Sequence, residues 1–396
     1  MRRLIILLFV TSAFIWAEWS GPRGNIARTA CANGRGPSIL DFIWSFKMNR
    51  SYGGFFLNVN DYDEVFVPSY HMNESKGYLA KLDAYGKQRW TRPLESPLGL
   101  GPFLSSNSFT YIITELGGIY GFTNAGTRRI KSNLPLPPSF FMNLDNGRIV
   151  CGSSAGMMFW LSSAGTVTSE IKLPELPTSY WSCSPQGFLY GRLTNRSLVS
   201  LTPQGSGIRW KFETSESGGT GYPILNEDIG VVLITNKNIY YLTVGGQVLW
   251  KKELPDITLA TLWSERLLVV YANTVLYAFE IEGGEIAWKV KTPFDGATDL
   301  ISSQDGYIYL AGRKASQQDY SIVIYRFIEG GIHGELNLKA KVYPVQMALG
   351  NNERLYFLDS FSNRINCLGN ITSSADEESD EDEPKRNRRK TNDTDE

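Results

Sequence analysis

A repeat of about 40 residues is the feature of this sequence that most constrains its fold. In each copy an apolar residue stands four positions before a turn glycine. The pairs are Leu82 and Gly86, Phe122 and Gly126, Leu161 and Gly165, Leu201 and Gly205, Leu242 and Gly246, Phe279 and Gly283, and Phe327 and Gly331; Leu368 is the eighth marker, with Thr372 in the glycine's place. Successive markers lie 40, 39, 40, 41, 37, 48 and 41 residues apart. This period is typical of the four-stranded blade of a β-propeller, at ~40–45 residues.

The repeat predicts an all-β, eight-bladed β-propeller over residues 36–370. A single blade cannot bury both of its faces, whereas a closed ring of blades buries them and leaves only short edges. A large aromatic residue shortly after the turn can fill the gap between neighbouring outer strands; the candidates are Trp44, Trp90, Trp210, Trp250 and Trp288. A β-sandwich or two small β domains is the alternative, and eight near-equal repeats without a linker disfavour it.

The ring is expected to close through a strand from the start of the chain. The eighth repeat shows three strands and then runs into a charged tail, so its fourth strand is missing. Residues 40–47 have the character of an outer strand, with Trp44 in the tryptophan position. We therefore predict that these residues complete the eighth blade. The long spacing in the seventh repeat is explained by an insertion at residues 313–320, between the second and third strands of that blade.

The two ends of the sequence indicate secretion and a disordered tail. Residues 1–17 combine Arg2 and Arg3 with a short apolar run, which predicts a signal peptide rather than a bilayer span of ~20 residues. Residues 18–35 form an N-terminal extension. Residues 371–396 carry an acidic block and then a basic block with almost nothing to bury, which predicts disorder. This tail is expected to solubilise the chain. The alternatives are cleavage after Arg389 and binding of cations or a basic partner by the acidic block.

Cysteines and glycosylation sequons suit a secreted chain. The four cysteines allow two disulfides in three connectivities; the candidates are a ring-locking Cys31–Cys367 bond and a Cys151–Cys183 bond. Five Asn-x-Ser/Thr sequons occur, at Asn49, Asn73, Asn195, Asn370 and Asn392. The first three are expected on one face, in loops that follow second or fourth strands, so that glycans would shield that face in a eukaryotic host.

Few residues indicate catalysis or metal binding. His71 and His333 are predicted in separate loops, so neither a metal site nor a catalytic triad is expected from them. Asp61, Asp63 and Glu64 could offer oxygen ligands to calcium, although a solvated loop is the more common role of such a cluster. The body of the chain is near neutral, which disfavours binding to nucleic acid.

The segment Leu82, Asp83 and Ala84, followed by Gly86 and Trp90, resembles the repeat of the quinoprotein (PQQ-repeat) superfamily. The opening Trp19–Asn25 is also similar to that of secreted proteins with such repeats. The superfamily includes dehydrogenases, a bacterial outer-membrane assembly propeller and luminal sensor domains. The dehydrogenases use an adjacent cysteine pair, a calcium site of carboxylates and an amide, and an aspartate base. No two cysteines are adjacent here, so the resemblance implies the non-catalytic branch.

These features together predict a secreted, non-enzymatic and monomeric propeller that binds a protein or glycan partner. No metal, cofactor, nucleic acid or transmembrane segment is expected. The compartment would be the exterior or the lumen of the secretory pathway, or the periplasm in a bacterium. The alternative is a PQQ- and Ca²⁺-dependent oxidoreductase, or a related one, whose site the sequence does not reveal.

Overall fold

A computed structural model describes residues 19–25, 27–48, 56–70, 76–144, 147–216, 220–226, 229–264, 266–314, 319–328, 330–338 and 341–370. These residues contain 33 β-strands and no helix. The strands form eight separate sheets, each the blade of one ring. The predicted all-β, eight-bladed propeller is therefore confirmed. The signal peptide and the tail predicted for residues 1–17 and 371–396 lie outside the described residues.

Blades one to six are formed by consecutive antiparallel strands, counted here from the inner strand to the outer strand. Two short elements precede them, β1 (Cys31–Ala32) and β2 (Asp41–Lys47). Blade one contains β3 (Asn58–Val59), β4 (Val65–Tyr70), β5 (Gly77–Leu82) and β6 (Gln88–Pro93). Blade two contains β7 (Leu98–Leu104), β8 (Phe109–Thr114), β9 (Gly118–Thr123) and β10 (Arg128–Asn133). Blade three contains β11 (Pro138–Asn143), β12 (Ile149–Ser153), β13 (Met157–Leu161) and β14 (Val167–Lys172).

The next three blades repeat this order. Blade four contains β15 (Pro177–Cys183), β16 (Leu189–Leu193), β17 (Leu198–Leu201) and β18 (Ile208–Phe212). Blade five contains β19 (Ile224–Asn226), β20 (Gly230–Ile234), β21 (Asn238–Thr243) and β22 (Val248–Glu253). Blade six contains β23 (Ile257–Trp263), β24 (Leu267–Ala272), β25 (Val275–Glu280) and β26 (Ile286–Lys291).

The last two blades also use strands from the start of the chain. Blade seven contains β27 (Phe294–Ser303), β28 (Tyr307–Lys314), β29 (Tyr320–Arg326) and β30 (Ile332–Asn337), and β1 adds to its inner edge in parallel with β27. Its insertion lies between β28 and β29, as predicted. Blade eight contains β31 (Pro344–Leu349), β32 (Arg354–Asp359) and β33 (Arg364–Gly369). Its outer strand is β2, with Asp41 opposite Gly369 and Trp44 opposite Cys367, so the predicted closure by an N-terminal strand is confirmed.

A tryptophan on an outer strand packs against the turn glycine of the next blade. In one example the indole Nε1 of Trp210 donates a 2.8 Å hydrogen bond to the carbonyl of Val244. Its ring lies 2.7 Å from the place where a Cβ on Gly246 would stand. Four more tryptophans each cover a glycine and donate to a nearby carbonyl. They are Trp44 (Gly86, carbonyl of Ala84), Trp90 (Gly126, carbonyl of Asn124), Trp250 (Gly284, carbonyl of Ile281) and Trp288 (Gly330, carbonyl of Phe327). A side chain at these glycines would therefore collide with the neighbouring blade.

Blades two and three make the same contact with different residues. In blade three Trp160, on the third strand, covers Gly205. In blade two the hydroxyl of Ser132 donates a 2.7 Å hydrogen bond to the carbonyl of Gly165. In blades six and seven the glycine that contacts the tryptophan is the neighbour of the marker glycine. The neighbours of Gly283 and Gly331, Gly284 and Gly330, have positive φ (68° and 63°) and contact the tryptophans.

Candidate functional site

The N-terminal extension crosses the central channel of the ring. We call residues 19–32, which are described except at position 26, the channel segment. Its backbone carbonyls accept hydrogen bonds from inner strands of different blades: Ser20 from Leu104 (3.0 Å), Ala27 from Leu225 (3.0 Å), Thr29 from Leu262 (2.8 Å) and Ala30 from Ser302 (2.9 Å). Trp19 also bridges Val59 of blade one. The segment is thus bonded to blades one, two, five, six and seven before the chain reaches blade eight.

The sequence of the channel segment suits a narrow, winding path. Gly24 has φ +87°, and Trp19 lies 3.2 Å from where its Cβ would be. Three residues other than glycine also have left-handed backbone conformations, Arg23 (φ 60°), Arg28 (φ 61°) and Ala30 (φ 54°). Such conformations are unfavourable for non-glycine residues and are held only where the surroundings enforce them. The inter-blade hydrogen bonds provide that enforcement.

Arg23 forms a buried ion pair inside the channel. Its Nη1 lies 3.2 Å from the Oδ1 of Asp299 on the inner strand of blade seven. Its Nη2 donates to the carbonyl of Ala260 in blade six. The other carboxylate oxygen of Asp299 accepts a 2.6 Å hydrogen bond from the amide of Met347 in blade eight. Burial lowers the pKa of Arg23, and the charge of Asp299 opposes that shift. One ion pair therefore joins the channel segment to three blades.

Arg28 is the second buried guanidinium of the channel segment, and it is only 4% exposed. Its Nε donates to the carbonyl of Trp181 (3.0 Å), and its Nη1 donates to the carbonyls of Pro22 (2.6 Å) and Asn25 (3.2 Å). The guanidinium carbon lies 5.4 Å from the ring centre of Tyr222. Burial lowers the pKa of Arg28, and Tyr222 and Cys183 act in the opposite direction. Among the described residues no carboxylate bonds to it.

A pocket of about 210 Å³ lies above the channel segment, and we call it the funnel pocket. Its wall is mainly aromatic and comes from inner strands, or residues next to them, in blades one to five. The lining residues are Pro22, Arg28, Phe56, Leu100, Phe103, Ser139, Phe140, Phe141, Ser179, Trp181 and Tyr222. Phe140 stacks on Trp181 with ring centres 5.1 Å apart, and Phe103 lies 4.9 Å from Phe141. These four rings support one another and are each at most 5% exposed, whereas Phe56 and Tyr222 are partly exposed.

Two glycines make room for the largest rings of this wall. A Cβ on Gly191 would stand 2.1 Å from Trp181, and one on Gly152 would stand 2.3 Å from Phe140. The register of both inner strands shifts beside these rings, and such bulges often re-aim side chains at binding sites. The indole nitrogen of Trp181 donates to the carbonyl of Thr178, so the ring cannot rotate freely.

The positions of the lining residues along their strands show on which face of the ring the funnel pocket lies. The channel segment bonds to the last residues of inner strands, such as Leu104 and Ser302. Ser139 and Ser179, by contrast, lie near the beginnings of their inner strands. The pocket is therefore on the side of the loops that follow second and fourth strands. We call this side the pocket face. Tyr180, 43% exposed, packs edge-on against Tyr222 on this side.

No disulfide joins any of the four cysteines in the structure, so the predicted bonds are not formed. Cys31 pairs with Ser302 at the inner edge of blade seven, whereas Cys367 lies in the third strand of blade eight. Strands in a sheet are spaced by about 4.8 Å. Three spacings separate the radial positions of the two residues, roughly 14 Å, which is too far for a disulfide. Cys151 and Cys183 lie in the second strand of blade three and the first strand of blade four. Burial raises the pKa of Cys367 to about 12.

Two of the five sequons lie within the described residues. Asn195 is exposed in the loop between β16 and β17, on the pocket face, and its side-chain oxygen accepts hydrogen bonds from Ser197. Asn370 is half-buried at the ring closure. Its side chain accepts from the amide of Ile39 and donates to Glu353. Asn49, Asn73 and Asn392 lie outside the described residues.

The acidic cluster binds protein groups. Asp63 is buried and accepts hydrogen bonds from the backbone amides of Asn351 (2.9 Å) and Asn352 (3.2 Å). Glu64 pairs with Lys81 at 2.6 Å. Asp63 therefore joins a turn of blade one to a turn of blade eight, a role that the sequence did not reveal.

The histidines offer no centre for a metal within the described residues. His333 lies in strand β30, where its ring contacts Tyr307. Its predicted place in a loop was wrong. His71 is outside the described residues. In the described ranges, no three His, Cys, Asp or Glu side chains are grouped closely enough to hold a metal ion, and no helix long and apolar enough to span a membrane is found there.

The described residues do not fit the PQQ and calcium site that the resemblance implies for dehydrogenases. The funnel pocket has no carboxylate in its lining, although calcium prefers several oxygen ligands. Its volume of about 210 Å³ is below the roughly 300–1,000 Å³ of pockets that enclose drug-sized ligands. The floor is made of the chain's own Pro22 and Arg28. No step of a reaction is therefore assigned to this cofactor.

Comparisons with known proteins agree on the architecture. A family model described as outer membrane protein assembly factor BamB matches residues 194–341. BamB from Moraxella catarrhalis is similar in structure (TM-score 0.62, 13% identity), with 84% of this chain and 100% of that chain covered. No curated protein matches the sequence.

Two enzymes are also similar in structure. For quinohemoprotein alcohol dehydrogenase from Comamonas testosteroni the TM-score is 0.64 at 11% identity, over 89% of this chain and 81% of that chain. For a europium-containing methanol dehydrogenase it is 0.59 at 11% identity, over 86% and 89%. At these identities the likeness establishes the fold, and function must be argued from this chain's own residues.

Proposed function

We propose that the chain, whose repeat and fold are similar to those of PQQ-repeat propellers, is a secreted, non-enzymatic scaffold that binds a protein or glycan partner in the funnel pocket. The observation that carries this proposal is the pocket beside the channel segment, whose lining is mainly aromatic. Its partly exposed rings, Phe56 and Tyr222, are rigid contact surfaces for an apolar side chain or the flat face of a sugar, and such rings lose little conformational entropy on binding.

The build of the site favours binding over chemistry. Its polar groups are few: the Arg28 guanidinium and the hydroxyls of Ser139, Ser179 and Tyr222. A general base or a nucleophile needs a second group that activates it, and the lining residues offer no histidine or carboxylate for that role. An oxidoreductase, the alternative, would require ligands that these residues do not supply.

The proposed compartment follows from the sequence. The charged and apolar pattern of residues 1–17 supports export, to the secretory pathway or to the periplasm in a bacterium. BamB, which is similar in fold, is described as an outer membrane protein assembly factor. This description supports the proposal that the partner of this chain is a protein outside the cytoplasm.

The proposal is tested by capture of partners with a variant whose pocket is blocked. Ser179→Trp would place an indole at the mouth of the pocket. Ser206→Trp adds the same side chain to an exposed turn on the opposite face and serves as the control. We expect the wild type and Ser206→Trp to recover the same partner from the exported fraction, and Ser179→Trp to lose it.

Equal recovery by a correctly folded Ser179→Trp variant would contradict binding in the pocket. A separate measurement addresses the alternative function: the purified chain is mixed with PQQ and Ca²⁺, and reduction of a dye is followed. We expect no cofactor absorbance and no activity above the protein-free mixture. Turnover in this assay would overturn the non-enzymatic assignment.

A further inference from the structure

The charges of the channel segment are not balanced. It brings two guanidinium groups into the channel, Arg23 and Arg28. Arg23 has a carboxylate partner, Asp299, at 3.2 Å. Arg28 is more deeply buried and bonds only to backbone carbonyls among the described residues. A buried charge is normally paired, because removal from water is costly. The wall around Arg28 therefore holds an excess positive charge.

The guanidinium of Arg28 also has unused hydrogen-bonding capacity. It carries five N–H donors in a planar fork. Nε and Nη1 donate to the carbonyls of Trp181, Pro22 and Asn25, whereas none of the described residues accepts a hydrogen bond from Nη2. The three bonds, together with the ring of Tyr222, fix the orientation of the group. Arg28 is thus held in place at the edge of the funnel pocket with a free donor.

The surroundings of Arg28 define the kind of ligand it would receive. An anion satisfies the charge, and a planar carboxylate suits the fork of a guanidinium. Ser179 and Tyr222 add hydroxyl groups to the same pocket. The remainder of the wall is mainly apolar, and its partly exposed rings are Phe56 and Tyr222. These rings favour an apolar or aromatic body and would leave most hydroxyls of a sugar unpaired.

We propose that the funnel pocket recognises a carboxylate carried on an aromatic or apolar group, with the carboxylate on Arg28 and the apolar body against the aromatic wall. The source that fits best is the C-terminal residue of a partner protein, because a pocket of about 210 Å³ has room for roughly seven water molecules at about 30 Å³ each, the scale of one side chain. This inference rests on the proposed function and specifies its ligand.

The first test uses small probes on the full chain in isothermal titration calorimetry. Phenylacetate is compared with phenylacetamide, which has the same shape without the charge. We expect phenylacetate to bind and the amide to bind roughly 10- to 100-fold more weakly, the range for loss of a charge-assisted hydrogen bond. Arg28→Gln should abolish this preference, and Arg28→Lys should retain part of it. Ser206→Trp should behave as the wild type.

The second test separates the possible sources of the carboxylate. A short peptide that ends in phenylalanine is compared with its C-terminal amide, with glucuronate and with inorganic phosphate. We expect the free peptide to bind and the other three to bind far more weakly. A preference for glucuronate would overturn the protein source in favour of an acidic glycan, and a preference for phosphate would overturn the carboxylate itself.

The outcomes distinguish this inference from the proposed function. Equal binding of phenylacetate and phenylacetamide to the wild type would overturn the role of Arg28 and leave an apolar pocket. Loss of partner capture in Ser179→Trp without binding of any carboxylate probe would overturn the ligand class alone. Because Arg28 also supports the channel segment, thermal melting checks that Arg28→Gln is folded. The comparison of probes on the wild type stands even if that variant does not fold.

Discussion

Asp63 shows how a single buried carboxylate can join the first and last blades of a ring. It accepts hydrogen bonds from the amides of Asn351 and Asn352, and the amide side chain of Asn352 donates to the same carboxylate. These amides lie in a partly exposed turn, and the buried carboxylate supplies them with a charged acceptor. The sequence shows only an acidic cluster of a kind that also occurs in calcium loops.

We expect Asp63→Ala to destabilise the fold by about 2 kcal/mol, because it removes the charged acceptor of the amides of Asn351 and Asn352. Chemical denaturation measures the effect. Asp63→Asn is the matched variant, and it should lose less because the amide oxygen still accepts hydrogen bonds. Addition of Ca²⁺ should leave the melting temperature of the wild type unchanged. Stabilisation by Ca²⁺ that disappears in Asp63→Asn would show that this carboxylate is a ligand after all.

Two sequons should differ in their occupancy. The side chain of Asn195 is exposed, whereas both side-chain atoms of Asn370 bond across the ring closure. When the chain is expressed in a eukaryotic secretory host, we predict a glycan at Asn195 and none at Asn370. Peptide mass spectrometry of the purified protein measures both sites. A fully glycosylated Asn370 in a folded chain would contradict the closure geometry.

At the scale of the element, the contact between a tryptophan and a turn glycine is what repeats around the ring. In five of the eight blades it joins the outer strand to the third-to-fourth turn of the next blade, through packing of the indole on the glycine and through one indole hydrogen bond. The glycine is needed twice over, for its positive φ and for the absence of a side chain beneath the indole. The turn of blade six contains two adjacent glycines, and only Gly284 has a positive φ and contacts a tryptophan. Substitution of each glycine in turn therefore tests these two requirements.

We expect Gly284→Ala to lower the free energy of unfolding by about 1–3 kcal/mol, because Gly284 has φ +68° and a Cβ there would stand 2.8 Å from Trp250. The control is Gly283→Ala, one position earlier, where the nearest atom is a side-chain carbon of Glu285 at 3.8 Å. That change should be neutral or slightly stabilising. Thermal and urea unfolding of the two variants provide the comparison. Equal destabilisation would refute the role assigned to the contact.

At the scale of the whole molecule, the ring depends on one strand ladder between the two ends of the described chain. Strand β2 pairs with β33 from Asp41 opposite Gly369 to Lys47 opposite Arg364. Trp44 of that strand covers Gly86 of blade one. The strand therefore completes blade eight and also seals the contact between blades eight and one.

Deletion of residues 40–47 should abolish cooperative unfolding, because it exposes β33 as an edge and uncovers blade one. Differential scanning calorimetry should show a broad transition in place of a single peak. Trp44→Ala is the milder variant, for which we expect a cooperative transition at a lower temperature. An unchanged melting curve after the deletion would contradict the closure.

The fold could be predicted because it is periodic. Turn glycines and the outer-strand tryptophans recur at nearly constant spacing, and Trp44 revealed the missing strand of blade eight by the same pattern. The site could not be predicted in this way. The channel segment is held by carbonyls that accept from distant amides, and any residue can supply a carbonyl. The pocket takes single residues, such as Phe56, Trp181 and Tyr222, from different blades, and no sequence spacing links them.

The closure of the ring also has a consequence for folding during synthesis, because its two strands are made far apart in time. Ile39 and Asn370, which bond to each other at the seam, are 331 positions apart. At about 5–20 residues per second of synthesis, the early strand waits roughly 15–65 s for its partner. During that wait β2 has no ladder partner, so the ring can close only after blade eight has been made. The carbonyls that hold Arg28 belong to Pro22, Asn25 and Trp181, so all the hydrogen-bond partners of this arginine have been synthesised well before the seam can form.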